Sequence, residues 1–191
     1  KPTRLISSAL NLDSFSLYSR AGFVPHATFQ DMLIDVPATG LVSNTDDRVR
    51  DATLDDLDEI VSLEEAVSGI RRTKDWVYFI DNVSGFWHCS VSRDGDGSID
   101  GVLASIAHPG SRIAGPGVMK TEKAAIRLAA AELDVHRGKT VLLIVPALQR
   151  NLLLAAYGWG GRNCEIHFSQ CRGEFDVFNG VVIPTFMPET G

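Results

Sequence analysis

Four residues do most to limit the fold. Asp94-Gly95-Asp96-Gly97 separates two short apolar stretches, residues 86–92 and 99–107. Asp-Gly pairs supply the positive φ angles that tight hairpin turns need, so the two stretches form an antiparallel hairpin. Around it, strand and helix patterns alternate. From residue 48 the order is strand, two helices, the hairpin, a short strand, helix, strand, helix, strand. A uniform β-α-β repeat would give a wholly parallel sheet; the hairpin breaks that repeat and demands a mixed one. The expected fold class is therefore α/β, of the mixed-sheet α+β kind.

Before this unit the chain reads as strand (residues 5–10), helix (12–21) and strand (28–36). Gly22 stops the helix, since glycine takes the left-handed conformation cheaply. Residues 38–47, rich in Gly, Ser, Asn, Thr and Asp, read as a linker. Thr53 caps a helix from Leu54 onward, with Asp55 and Asp56 at the positive end of its dipole. A helix over residues 121–136 ends at Gly138, and 140–145 is a buried type of strand. The expected division is 1–37 (the end of a preceding domain), 38–47 (linker), 48–173 (main domain) and 174–191 (tail without periodicity).

Composition excludes several classes. The net charge is −6 and no dense Lys/Arg block occurs, which argues against nucleic acid as a partner. Three cysteines without a CxxC pair predict neither a disulfide framework nor a structural zinc, and fit a reducing cytoplasm. No apolar run is long enough for a membrane span, and the start shows no signal-peptide pattern. A chain opening at Lys1 reads as a processed or truncated product. His88-Cys89 fits neighbouring positions on a strand better than a catalytic pair, and His108 and His167 read as structural. Glu64, Glu65, Arg71 and Arg72 read as solvated.

Three motifs carry a family resemblance. The first is the run from Asn11 to Phe23, with Asn11, Tyr18 and Gly22-Phe23 in fixed register. The second is Ser68-Gly69-Ile70-Arg71-Arg72 taken with Gly115-Pro116-Gly117-Val118 and Val145-Pro146. The third is the small-residue turn from Gly115 to Thr121 ahead of a long helix. Together with the element order they resemble the GNAT superfamily, the acetyl-CoA-dependent N-acetyltransferases. In particular they are similar to tandem GNAT proteins, with one nearly complete GNAT-like domain and the end of another before it. The resemblance implies that Tyr18 protonates the departing CoA thiolate and that Asn11 serves cofactor binding. It places Gly115, Gly117, Val118, Met119, Lys120 and Thr121 at the pyrophosphate, where small residues at a helix N-terminus let amides converge on an anion.

Two departures bear on function. Pro116 and Met119 interrupt the family's phosphate-loop pattern, and Pro116 removes an amide donor. Counting back from Gly158-Trp159 puts Leu154 at the tyrosine position and Ala147 at the asparagine position. The expected activity is acetyl transfer from acetyl-CoA to a small-molecule or peptide amine, with no metal, in a cytoplasmic protein. The alternative is a catalytically silent GNAT-like module that binds a CoA-like ligand or shapes a partner's cleft. A homodimer and pairing with an upstream GNAT domain are the two expected assemblies.

Overall fold

The computed structural model describes residues 2–41 and 46–185. The linker residues 42–45 and the end of the tail, 186–191, lie outside that description. β1 (Thr3–Ser8), α1 (Leu12–Arg20) and β2 (Val24–Asp35) open the chain. β3 (Val49–Asp51), a 3₁₀ turn (Leu54–Asp56), α2 (Leu57–Ser68) and α3 (Thr73–Asp81) follow. Next come β4 (Trp87–Arg93), β5 (Ile99–His108), β6 (Ser111–Met119) and α4 (Glu122–Val135). β7 (Thr140–Pro146), α5 (Arg150–Gly158), β8 (Arg162–Arg172) and β9 (Val181–Ile183) complete it. Among the described residues no helix is long and apolar enough to cross a membrane.

The strands form one mixed sheet in the order β1-β8-β2-β7-β6-β5-β4-β3, with β9 paired to β6. β4 and β5 are the expected antiparallel hairpin. β6 and β7 are parallel over only two residue pairs, Ile113–Leu142 and Ala114–Leu143, and then diverge as expected. β2 lies between β7 and β8, and β8 lies between β1 and β2. The 38–47 boundary thus separates stretches of sequence that share one sheet. The opening piece does dock, but through its strands. Leu12, expected to face a partner surface, is 71% exposed, and α1 buries none of its residues.

A local two-fold relates β1-α1-β2 to β7-α5-β8. Leu12 and Val24, which begin α1 and β2, lie 138 residues before Arg150 and Arg162, which begin α5 and β8. The N-caps match, Asn11 at φ −92°, ψ 77° and Gln149 at φ −89°, ψ 77°. The residues past the C-caps match too, Gly22 at φ +85° and Gly160 at φ +82°. Phe29 pairs with His167 at the centre, and the pairing Thr3–Arg172 repeats as Val141–Ile34. This corrects the helix register: α5 is closed by Gly160, so Tyr18 corresponds to Ala156 and Asn11 to Gln149, not to Leu154 and Ala147.

Two apolar cores cover the two sheet faces. Met32, Leu103, Met119, Leu143 and Val145 pack under α4 and α5 residues such as Leu128 and Leu152. Val91, Val102, Ile113 and Val118 pack with Ile60 and Val67 of α2 and Trp76 and Phe79 of α3. Burying this apolar area is the main stabilising term. Buried charges are paired. Glu64, read from sequence as solvated, is fully buried. It accepts from Trp76 Nε1 (3.0 Å), the Arg72 amide (3.0 Å) and the Arg72 guanidinium (2.6 and 2.8 Å). Asp56 accepts two hydrogen bonds from Arg50, at 2.6 and 2.7 Å, which hold its carboxyl well below the usual range.

Glu132 is fully buried between His88 Nδ1 (3.0 Å) and the Ser105 hydroxyl (2.6 Å), and His136 Nε2 lies 2.9 Å from the same hydroxyl. The bond to Glu132 raises the His88 pKa above its ordinary 6.5, against burial. A raised histidine contributes stability that is fully present below the unfolded value and lost as pH rises through the folded one. His136 runs the other way, since burial lowers its pKa. His88→Asn should therefore lose most against the parent near pH 6, and the gap should narrow by pH 9 in urea titrations. A gap constant with pH would refute the linkage. At the two-fold, Phe29 is 2% exposed. Phe29→Ala should cost about 3–5 kcal/mol, read from the urea midpoint.

Candidate functional site: two related clefts

In the second half, the cleft between β6 and β7 opens after Ala114. Gly115 and Pro116 stand together opposite Ala104 on β5, forming a bulge. Beyond it, Gly117, Val118 and Met119 pair with β5 on one side and with Ile183, Val182 and Val181 of β9 on the other. The tail expected to lack periodicity thus supplies a strand in the opening between β6 and β7. The small-residue turn expected at Gly115–Thr121 is instead the buried end of β6 plus a one-residue link, Lys120, to the Thr121 cap.

The glycines there answer to packing. A Cβ on Gly117 would sit 2.5 Å from Leu103 Cδ1 and 2.7 Å from the Val102 carbonyl oxygen. A Cβ on Gly115 would strike the Pro184 carbonyl, and one on Gly180 the Met119 carbonyl. Lys120 turns to the hairpin, its amide donating to Asp100 O (2.8 Å) and its Nζ lying 3.3 Å from Ser98 Oγ and 3.6 Å from Asp94. The Thr121 hydroxyl accepts from the Ala124 amide at 3.2 Å. The Glu122 carboxylate accepts from the Asn151 and Leu152 amides at the start of α5.

In the first half the equivalent cleft is open. Among the described residues β1 has β8 on one side and no strand on the other. Ser8, Leu10, Asn11, Leu12 and Asp13 line a cavity of about 510 Å³ at the strand's end. Asn11 Oδ1 accepts from the Ser14 amide (3.0 Å) and so caps α1. Tyr18 is half-buried, its ring edge-on to Phe23 at 5.9 Å. Its hydroxyl has no hydrogen-bond partner among the described residues.

Sequence reasoning missed a polar cluster at the two-fold. Asp31 and Glu165 are direct cross-strand partners, and His167 follows on the same sheet face. His167 Nδ1 is 3.0 Å from Asp31 Oδ1, and Nε2 is 3.8 Å from Glu165. Ser8 donates to Glu165. Burial raises the Asp31 pKa, His167 opposes that, and Glu165 adds to it. The three ligand atoms lie within 4.8 Å of one another, close enough to share a cation. No spacing rule reveals the group, because Asp31 and His167 are 136 positions apart.

Solved structures of acyltransferases superpose on this mixed sheet and its helices. The chain has the GNAT fold. A Pyrococcus horikoshii protein assigned as an acetyltransferase matches 95% of this chain at TM-score 0.65 and 12% identity. The GCN5-related N-acetyltransferase of Sphaerobacter thermophilus matches 93% at TM-score 0.52 and 17% identity. The Saccharomyces cerevisiae N-myristoyltransferase with bound myristoyl-CoA matches 86% at TM-score 0.56 and 11% identity. The chain spans 58%, 61% and 55% of those three chains. No protein-family model and no curated protein matches the sequence.

The GNAT sheet is therefore closed by β9 on the β7 side and open on the β1 side. Gly180, at φ +141°, is the hinge of that closure. Gly180→Ala should release β9: hydrogen exchange should speed up at 117–119 and 181–183, while 99–106 stays protected. Unchanged protection there would show that Gly180 is not needed for the closure.

Proposed function

We propose that the protein is an acyl-CoA-dependent N-acyltransferase whose chemistry is carried by the β1–α1 unit. The observation that carries this reading is the contrast between two related clefts on an acyltransferase fold. One is filled by β9; the other is open, and the helix that follows its strand carries Tyr18 with an unengaged hydroxyl. The amine attacks the thioester carbonyl directly and Tyr18 gives its proton to the departing thiolate; the proton shed by the nitrogen passes through water to restore the phenol, leaving the amide and free CoA. Asn11 sets the N-terminus of α1 beside the cofactor. Acetyl is the donor group named by several of the fold neighbours, and a small-molecule or peptide amine is the acceptor.

On this reading residues 1–37 end one GNAT half and 48–173 form the other. The second half is a scaffold, because the amides of Gly117–Met119 lie in the ladders to β5 and β9. They reach a pyrophosphate only with β9 displaced. The outer edge of β1 is completed by an upstream GNAT domain or by a second copy of the chain. The test is calorimetric titration with acetyl-CoA, followed by thiol release in the presence of mixed amines. Tyr18→Phe should leave acetyl-CoA affinity within about twofold and lower turnover about 10²-fold, the usual scale for a general acid. Absence of acetyl-CoA binding by the parent would reject the reading, as would full turnover by Tyr18→Phe.

A further inference from the structure

A second cavity lies apart from both clefts, between α4 and the β3–β4 edge of the sheet. It has a volume of about 750 Å³, within the span of small-molecule sites. Its wall is apolar at Val49, Ile126 and Trp159 and polar at His88, Lys123 and Arg127. Arg127 is the unusual member. Its side chain is 8% exposed, and Nη2 is held by Asp100 at 2.8 and 3.0 Å. Its Nε–H, however, is buried without a hydrogen-bond partner. The nearest carboxylate, Asp46, stands 4.0 Å away. A buried donor left unmade costs about 1–3 kcal/mol, so its retention calls for an acceptor supplied from outside the chain.

Three aspartates, Asp46, Asp51 and Asp134, also line the cavity, but the five cationic side chains Arg48, Arg50, Lys123, Arg127 and Arg137 outnumber them, which suits an acceptor with negative charge. Lys123 lines the cavity one turn before Arg127 on α4 and forms no ion pair among the described residues. The His88 ring is fixed by its Nδ1 contact with buried Glu132, which leaves Nε2 toward the rim, 3.3 Å from exposed Asp51. A cation, a committed N–H donor and an oriented imidazole stand around an apolar floor. Water satisfies the donor, but it does not cover Val49, Ile126 and Trp159.

We infer that this cavity is a binding site for an organic anion with an apolar body, a carboxylate on a ring or short hydrocarbon. The carboxylate takes the Arg127 Nε–H and the Lys123 ammonium, and the apolar body lies on Ile126 and Trp159. The site does not depend on the acyl-transfer reading, since neither Tyr18 nor Asn11 borders it.

The test uses 1-naphthoate as probe and 1-naphthalenemethanol as its uncharged counterpart, by calorimetry and Trp fluorescence. The parent should bind naphthoate saturably, one per chain, and the alcohol about tenfold more weakly or less. Lys123→Met should weaken naphthoate about tenfold. Ala131→Phe, which fills the cavity from a partly exposed position, should abolish it. Both variants should keep the parent's melting temperature and acetyl-CoA affinity, which separates this site from the acyl-CoA cleft. No saturable binding, equal affinity for the alcohol, or undiminished binding by Ala131→Phe would overturn the assignment.

Discussion

The pairing of β2 with β8 is the interaction on which the molecule depends. β2 enters the sheet between β7 and β8, strands that follow it by more than a hundred residues. Without β2, β7 would lose its antiparallel neighbour along Phe29–Asp35, and β8 and β1 would have no described strand joining them to the rest of the sheet. The register is tightly set because a slip of one residue would turn Met32 and Ile34 out of the α4–α5 core. The same pairing sets Asp31 opposite Glu165, a juxtaposition of two carboxyl groups that calls for a hydrogen-bonding group between them. His167 stands there.

The two-fold makes the difference between the halves informative. Backbone pairing and helix caps repeat closely, so the divergence lies in what each unit meets at its outer edge. β7 meets β6, and β9 fills the space where β6 turns away. The outer edge of β1 meets no described strand. A splayed pair leaves backbone groups without ladder partners, and these are satisfied either by another strand or by a ligand. In the second half β9 satisfies those of Gly117–Met119. The two outcomes are alternatives for one set of amides.

How far the sequence was legible follows from the range of each signal. The hairpin and the stop at Gly22 rest on local chemistry, and both appear as expected. The exchange of β2 was hidden, because periodicity identifies a strand without naming its neighbour. Gly115 and Gly117 were misread because a glycine kept for backbone conformation and one kept for close approach look alike in sequence. Here the Pro184 and Val102 carbonyls press on them. β9 was overlooked because three residues carry too little periodicity to register. The end of α5 was misplaced by two residues among several glycines, and only the left-handed φ of Gly160 distinguishes the one that closes it.

The corrected register also explains why the second half carries no tyrosine at the acid position. Ala156 occupies that place and is fully buried, in one cluster with Met32, Val145 and Leu152. A phenol ring there would overfill a packed core, and its hydroxyl would need a partner among aliphatic side chains. Tyr18 faces neither demand. α1 buries no residue, and the ring rests edge-on against Phe23 with its hydroxyl clear of the sheet. The packing around Ala156 leaves no room for a phenol, whereas the α1 face that carries Tyr18 is more loosely covered, with Phe15 edge-on to Phe168 at 5.5 Å.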